Sequence, residues 1–201
     1  MDFLAVRQLT LGEFMSFYSQ ISNMLQKKFG TEPLAEKLEE SRRHSELTSE
    51  DKQIIITSEF FFLATATADG RPDCSIKGGN PGFIEIFSER EIGFRNYDGN
   101  GMFRSLGNIL ENSNIGLLFI QFAPDQKKLR INGNARLDYS NADSPDEILI
   151  TIEIRDIFPN CPRYLPNITI NGSSPYNPAA GYTPPEPAWK SKPDLKPFVK
   201  R

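Results

Sequence analysis

The hydrophobic repeat changes period near Ser58, and that change limits the chain to a sheet-forming core behind a helical lead. From Leu9 to Phe29 the apolar positions Leu11, Phe14, Met15, Phe17, Tyr18, Ile21 and Leu25 recur at three- and four-residue spacing, which predicts an N-terminal helix with one packing stripe. Residues 31–47 are densely charged and read as a surface helix or linker. Thr48 and Asp51 have the spacing of a capping box, with Asp where Glu or Gln is more usual, so a second helix is expected after Leu47.

Beyond Ser58, β-branched and aromatic residues alternate with period two. Phe60–Thr67 reads as a strand, Asp69-Gly70 as a tight turn, and Asp73–Lys77 as the returning strand of a hairpin. Further strands are expected at 83–87, 91–95, 114–122, 128–139 and 147–158. In the strand from Lys128, Leu129, Ile131, Gly133, Ala135 and Leu137 form one core face, and the polar residues between them a wet face. The strand from Asn114 is apolar on both faces, so it is either central or covered by a second subunit. One helix is expected among these strands, Gly101–Glu111, with Met102, Phe103, Leu106, Ile109 and Leu110 on one side.

These elements predict a mainly β fold with flanking helices, an α+β barrel with a crossover helix. The organisation expected is a helical extension over 1–47, a β-barrel over 48–158 and a proline-rich extension over 159–201, lying over the surface or a partner subunit. At 201 residues one core is the reasonable expectation.

Composition narrows the chemistry. A formal net charge of −3 speaks against a nucleic-acid partner, because neutralising phosphates needs a basic face. No run is long and apolar enough to span a membrane and no secretory signal is legible, so a cytoplasmic protein is expected. Cys74 and Cys161 form no ligand motif, which argues against a metal site, and both are expected as reduced thiols. The single histidine, His44, leaves little scope for a Ser-His-Asp triad and is expected on a solvated helix surface.

Two segments carry candidate chemistry. In the first, Asn96-Tyr97-Asp98-Gly99-Asn100-Gly101 joins a strand to the helix bearing Arg104 and Ser105. Glycines let backbone N–H groups approach an anion, and a helix N-terminus adds roughly half a positive charge. Arg104 and Ser105 would add a charged and a neutral donor. The same residues also fit a plain turn, with Asn100 capping the helix and Arg104 paired to Asp98 or Glu111. Residues alone leave both readings open. In the second segment, alternation puts Asp73, Ser75 and Lys77 on one face of a strand, and Gly78-Gly79 would let a flat ligand lie against the backbone; a loop with Lys77 in solvent is the alternative.

Several runs resemble one family in order and spacing. Phe61-Phe62-Leu63-Ala64-Thr65-Ala66-Thr67 with Asp69-Gly70-Arg71-Pro72, then Ser75–Gly82, Asp98–Asn108, Gly116–Ile120 and Leu129–Ala135, are similar to the pyridoxamine 5'-phosphate oxidase-like, FMN-binding split-barrel proteins. The resemblance implies a six-stranded split β-barrel that dimerises, with flavin mononucleotide (FMN) in a groove between subunits. It implies phosphate contacts from Arg104 and Ser105 with Asn100 and Gly101 nearby, ring contacts from Ser75, Lys77 and Gly78, and a further candidate in Gln121. Lys77 would then hydrogen-bond the N1/O2 side of the ring.

The C-terminal substrate segment of the true oxidases is only faintly echoed by Arg163-Tyr164-Leu165-Pro166, so vitamin B6 oxidation does not follow from the resemblance. Arg163 is kept as a candidate for an anionic substrate, against a proline-stabilised turn. The function expected is a flavin-dependent oxidoreductase acting with a small-molecule substrate or electron donor. Its alternatives are a flavin-binding sensor, carrier or store without turnover, and a barrel that binds heme, through Cys161, or a deazaflavin.

Overall fold

A computed structural model describes residues 17–122 and 124–199. Leu11, Phe14 and Met15 of the expected N-terminal stripe lie outside the described residues. The chain divides into two compact units, one ending at Arg43 and the other starting at His44.

The first unit is a helix pair. Helix α1 spans Gln20–Phe29, and the Ser19 hydroxyl at its N-cap accepts from the Ser22 N–H at 3.1 Å. It stops at Gly30 in the left-handed region (φ 67°), where the N–H of Thr31 closes on the Gln26 carbonyl at 2.9 Å. Helix α2, Glu32–Arg42, follows directly.

The second unit opens with helix α3, Ser49–Thr57. Its capping box is complete: Thr48 Oγ1 accepts from the Asp51 N–H at 3.2 Å, and Asp51 Oδ2 accepts from the Thr48 N–H at 2.9 Å. His44 departs from its expected place in solvent. Its backbone bridges Ile157, and its Nε2 lies 2.8 Å from the buried Asp51 carboxylate. A carboxylate taken out of water holds its polar partners close, and the imidazole is one of them.

Seven strands follow among the described residues: β1 Phe60–Ala66, β2 Pro72–Gly78, β3 Ile84–Ser88, β4 Glu91–Arg95, β5 Asn114–Gln121, β6 Lys127–Asp138 and β7 Leu149–Asn160. They form one antiparallel sheet in the order β2-β1-β5-β6-β7-β4-β3, with no hydrogen-bonded pair closing β2 onto β3. The count is seven, as the hydrophobic pattern predicts, and not the six implied by the family resemblance. The β1–β2 hairpin forms at the expected turn, with Gly70 donating to the Thr67 carbonyl at 2.9 Å and Ala66 opposite Pro72.

Strand β5 is central, between β1 and β6. Its Ile115, Leu117 and Phe119 are buried with Leu63, Leu129, Ile131, Ile152 and Ile157 in one core, while Gly116, Leu118 and Ile120 are half-buried on the other face. Phe61 is fully buried and anchors an aromatic cluster with Phe83, Phe94 and Phe119 at centroid distances of 6.0, 5.1 and 5.3 Å. Rigid strands around this cluster fix where β2 and the next helix meet.

Helix α4 spans Arg104–Glu111, three residues shorter at its start than the sequence suggests. Gly101 (φ 71°) and Phe103 (φ 50°) both occupy the left-handed region, which cannot continue a right-handed helix. Met102 and Phe103, expected on its packing face, are instead exposed. Leu106 and Ile109 are buried as expected. No helix among the described residues is long and apolar enough to cross a membrane.

Candidate functional site

Strand β2 is an edge strand whose alternation is visible in burial: Asp73, Ser75 and Lys77 are half-buried, while Cys74 and Ile76 are exposed. The half-buried row faces the N-terminus of α4. Ser75 Oγ lies 3.1 Å from Ser105 Oγ, Lys77 Nζ donates to Ser105 Oγ at 3.4 Å, and Arg104 pairs with the Asp73 carboxylate at 3.3 Å. Two segments about thirty residues apart in sequence thus bring four donor side chains together.

The local backbone explains why they are available. Phe103 is the N-cap of α4 and has no polar side chain, so no side-chain cap bonds the first-turn N–H groups. Asn100 does not cap the helix, as one reading of the sequence has it; its Oδ1 accepts from the Met102 N–H at 3.0 Å and shapes the turn leading into Gly101. Arg104 pairs with neither Asp98 nor Glu111. Asp98 holds Lys190 at 2.6 Å, and Glu111 accepts from the Ala68 N–H at 3.2 Å.

Burial pushes the Lys77 ammonium below its usual lysine range, with Asp73 opposing the shift. A cation partly stripped of water beside two hydroxyls and an uncapped helix start is suited to an anion. Ser105 is buried, so its hydroxyl is fixed, whereas Arg104 is 60 % exposed and can swing between Asp73 and a ligand.

These residues line one wall of a cleft of about 880 Å³. That volume falls within the roughly 300–1,000 Å³ typical of small-molecule sites. Ser75, Lys77, Gly78, Asn100, Gly101, Arg104 and Ser105 all border it. Its apolar lining includes Phe60, Phe83, Tyr97 and Phe122. Gly79, next to Gly78, is required by packing, since a Cβ there would fall 2.5 Å from the Phe83 ring.

Two expected residues lie elsewhere. Gln121 borders a smaller neighbouring cleft of about 320 Å³ and donates to Thr57 Oγ1 at 3.3 Å; the two clefts share Phe60 and Phe122. Arg163 sits in an exposed turn, its N–H donating to Cys161 Sγ at 3.4 Å, and does not border the main cleft.

A further wall comes from the C-terminal extension, which the sequence places over the surface or a partner subunit. The described part of the proline-rich extension includes short turns at Ala188–Ser191 and Lys196–Phe198 and an isolated bridge between Ala179 and Tyr182, and it borders the cleft of its own chain, where Ile170, Ser174, Tyr176 and Asn177 contribute lining. It is tied down by Asn80, which donates to the Pro178 carbonyl at 3.1 Å and accepts from Asn177 Nδ2 at 3.3 Å, and by the Lys190–Asp98 ion pair. Sequence gave no sign of these contacts beyond the polar character of the residues that make them.

Comparison with known proteins matches residues 47–167 to the family model described as pyridoxamine 5'-phosphate oxidase. No curated protein matches the chain. Among solved structures, a Lactobacillus delbrueckii protein named as a candidate pyridoxamine 5'-phosphate oxidase is 18% identical, covering 58% of this chain and 98% of its own, with a TM-score of 0.45. HupZ of Group A Streptococcus is 20% identical over 56% of this chain and 93% of its own, with a TM-score of 0.43. An FMN-binding protein from Syntrophomonas wolfei is 13% identical over 69% of this chain and 96% of its own, with a TM-score of 0.40.

Proposed function

Because this chain belongs to the pyridoxamine 5'-phosphate oxidase family, we propose that the cleft between β2 and the start of α4 holds flavin mononucleotide and serves an oxidoreductase acting on a small molecule. The observation that carries the reading is the convergence of Ser75, Lys77, Arg104 and Ser105 on an uncapped helix N-terminus. Such a donor set fits a phosphate monoester: Arg104 and Lys77 supply charge, the two serines supply hydroxyls, and the first-turn N–H groups of α4 complete the cradle. Gly78 and the aromatic lining suit a flat ring system.

When bound, the flavin would supply electron or hydride transfer. The chain's own residues bind and orient it. Lys77 holds positive charge beside the ring or the phosphate, and the core aromatics keep water from that side of the cleft.

A homodimer belongs to the same reading. Phe62 on β1 is in register with Ile76 on β2 and Leu118 on β5, which makes an apolar row across three strands on the outer face of the sheet. Ile76 is 62 % exposed in the single chain, and a second copy would cover it. We assign residues 48–158 to cofactor binding and 159–201 to an extension that shapes the cleft. A cytoplasmic location is supported by Cys74 and Cys161, both free and exposed.

The experiment is an absorbance and fluorescence titration of the full chain with riboflavin 5'-phosphate, run beside Arg104→Ala. Saturable binding that the substitution weakens supports the proposal. A chain that ignores the flavin overturns it.

A further inference from the structure

We infer that the C-terminal extension, through the stretch 170–177, is the substrate-facing wall of the cleft and selects an uncharged, planar second ligand over a phosphorylated one. This rests on the flavin reading for what fills the rest of the cleft.

The argument is one of charge and its location. Among the described residues, the cations bordering the cleft are Lys77, Arg95 and Arg104. Lys77 and Arg104 belong to the anion cradle, and Arg95 is exposed and donates to the Glu147 carbonyl at 3.4 Å. The stretch 170–177 brings none: the described residues of the extension that line the cleft are Ile170, Gly172, Ser174, Tyr176 and Asn177. The nearby Lys190 is already matched by Asp98 at 2.6 Å, with its side chain only 16% exposed. A second phosphate dianion brought against this wall would lose hydration without gaining a cation, which is strongly unfavourable. Neutral donors and acceptors, by contrast, are present in the Ser174 hydroxyl, the Tyr176 phenol and the Asn177 amide.

The apolar side of the cleft agrees. Phe60 and Phe122 border both clefts together with Ile170 of the extension, so a flat ring carrying carbonyl or hydroxyl groups would find an apolar surface beside hydrogen-bond partners. Arg163, the residue most suited to a second anion, stands in an exposed turn outside the cleft. The wall is tied down where it ends, by the hydrogen bonds of Asn80 to Asn177 and Pro178, and the extension is held again further along by the Lys190–Asp98 pair, so it is a fixed part of the site.

The test is calorimetric titration of the full chain, loaded with riboflavin 5'-phosphate, using 2-methyl-1,4-naphthoquinone and pyridoxine 5'-phosphate. The expected result is binding of the naphthoquinone at least tenfold tighter than the phosphate ester, weakened fivefold or more by Tyr176→Ala. Ser174→Arg, which adds a cation to the wall, should narrow the gap between the two ligands. The inference is overturned if the phosphate ester binds the loaded protein as tightly as the quinone, or if neither substitution alters quinone affinity. A chain that fails to take up riboflavin 5'-phosphate defeats the cradle reading instead. Quinone titration of the flavin-free chain and of Tyr176→Ala then decides the wall's role separately.

Discussion

Lys77 on β2 donates to the buried Ser105 hydroxyl on α4 across 3.4 Å, and this contact joins the two segments that the sequence left as separate candidates. Burial lowers the pKa of Lys77 from the ordinary value of 10.5, so the folded protein releases this proton at lower pH than the unfolded chain does. Between the lowered value and 10.5 the unfolded state binds more protons, and stability therefore rises with pH through that window. Lys77→Met removes the buried charge. Wild type should gain stability relative to Lys77→Met as pH rises through that window toward 10.5, as read by urea denaturation at a series of pH values.

The same proton governs anion affinity with the opposite trend. Once pH passes the lowered Lys77 value, the ammonium is lost and affinity for riboflavin 5'-phosphate should fall. In Lys77→Met this alkaline fall should be absent, with weaker binding throughout. Fluorescence titration across pH measures both.

Arg104 carries the second positive charge of the cradle, and its exposure lets it leave Asp73 for a ligand. A charge-assisted hydrogen bond is worth about 1.5–3 kcal/mol, so Arg104→Ala should weaken flavin phosphate binding roughly tenfold to a hundredfold. Arg104 is itself 60 % exposed, and Lys77 still lies near the half-buried Asp73 carboxylate, so the substitution should cost little urea stability.

Gly79 tests the packing beneath the site. A methyl group there would meet the Phe83 ring at 2.5 Å, and Phe83 stacks on Phe61 in the core at 6.0 Å. Gly79→Ala should destabilise the fold by about 1–3 kcal/mol, the usual range for overpacking. Thermal or urea unfolding gives the answer directly.

Asn108 on α4 donates to the Thr65 hydroxyl on β1 at 2.9 Å, with both residues buried. Asn108→Ala leaves that hydroxyl without its partner and should cost about 1–3 kcal/mol. Adding Thr65→Val should cost less than the sum of the single changes, because the orphaned group is then removed as well. Equilibrium unfolding of the three variants tests this.

The sheet was legible because its signals are local. Alternation of Asp73, Ser75 and Lys77 against Cys74 and Ile76, the turn at Asp69-Gly70 and the Thr48–Asp51 box each depend on residues within one turn or strand, and each forms as expected. The start of α4 was misplaced because apolar spacing cannot reveal that Gly101 and Phe103 take positive φ. His44 was misread for a different reason: its partners, Asp51 and Ile157, come from elsewhere in the sequence. The extension was expected over the surface or a partner subunit, but which residues of 170–177 line a cleft was not legible, since prolines announce irregular backbone but not what it covers. Both segments stand out in the sequence as candidates, yet only the fold brings Ser75 to 3.1 Å from Ser105.

The most direct measurement compares riboflavin 5'-phosphate with riboflavin, which lacks the phosphate, in equilibrium titrations of the full chain. A cradle built from Ser75, Lys77, Arg104 and Ser105 predicts that the phosphate ester binds at least tenfold tighter, and that Arg104→Ala closes most of that gap. Equal affinity for the two flavins, or no binding of either, would contradict it.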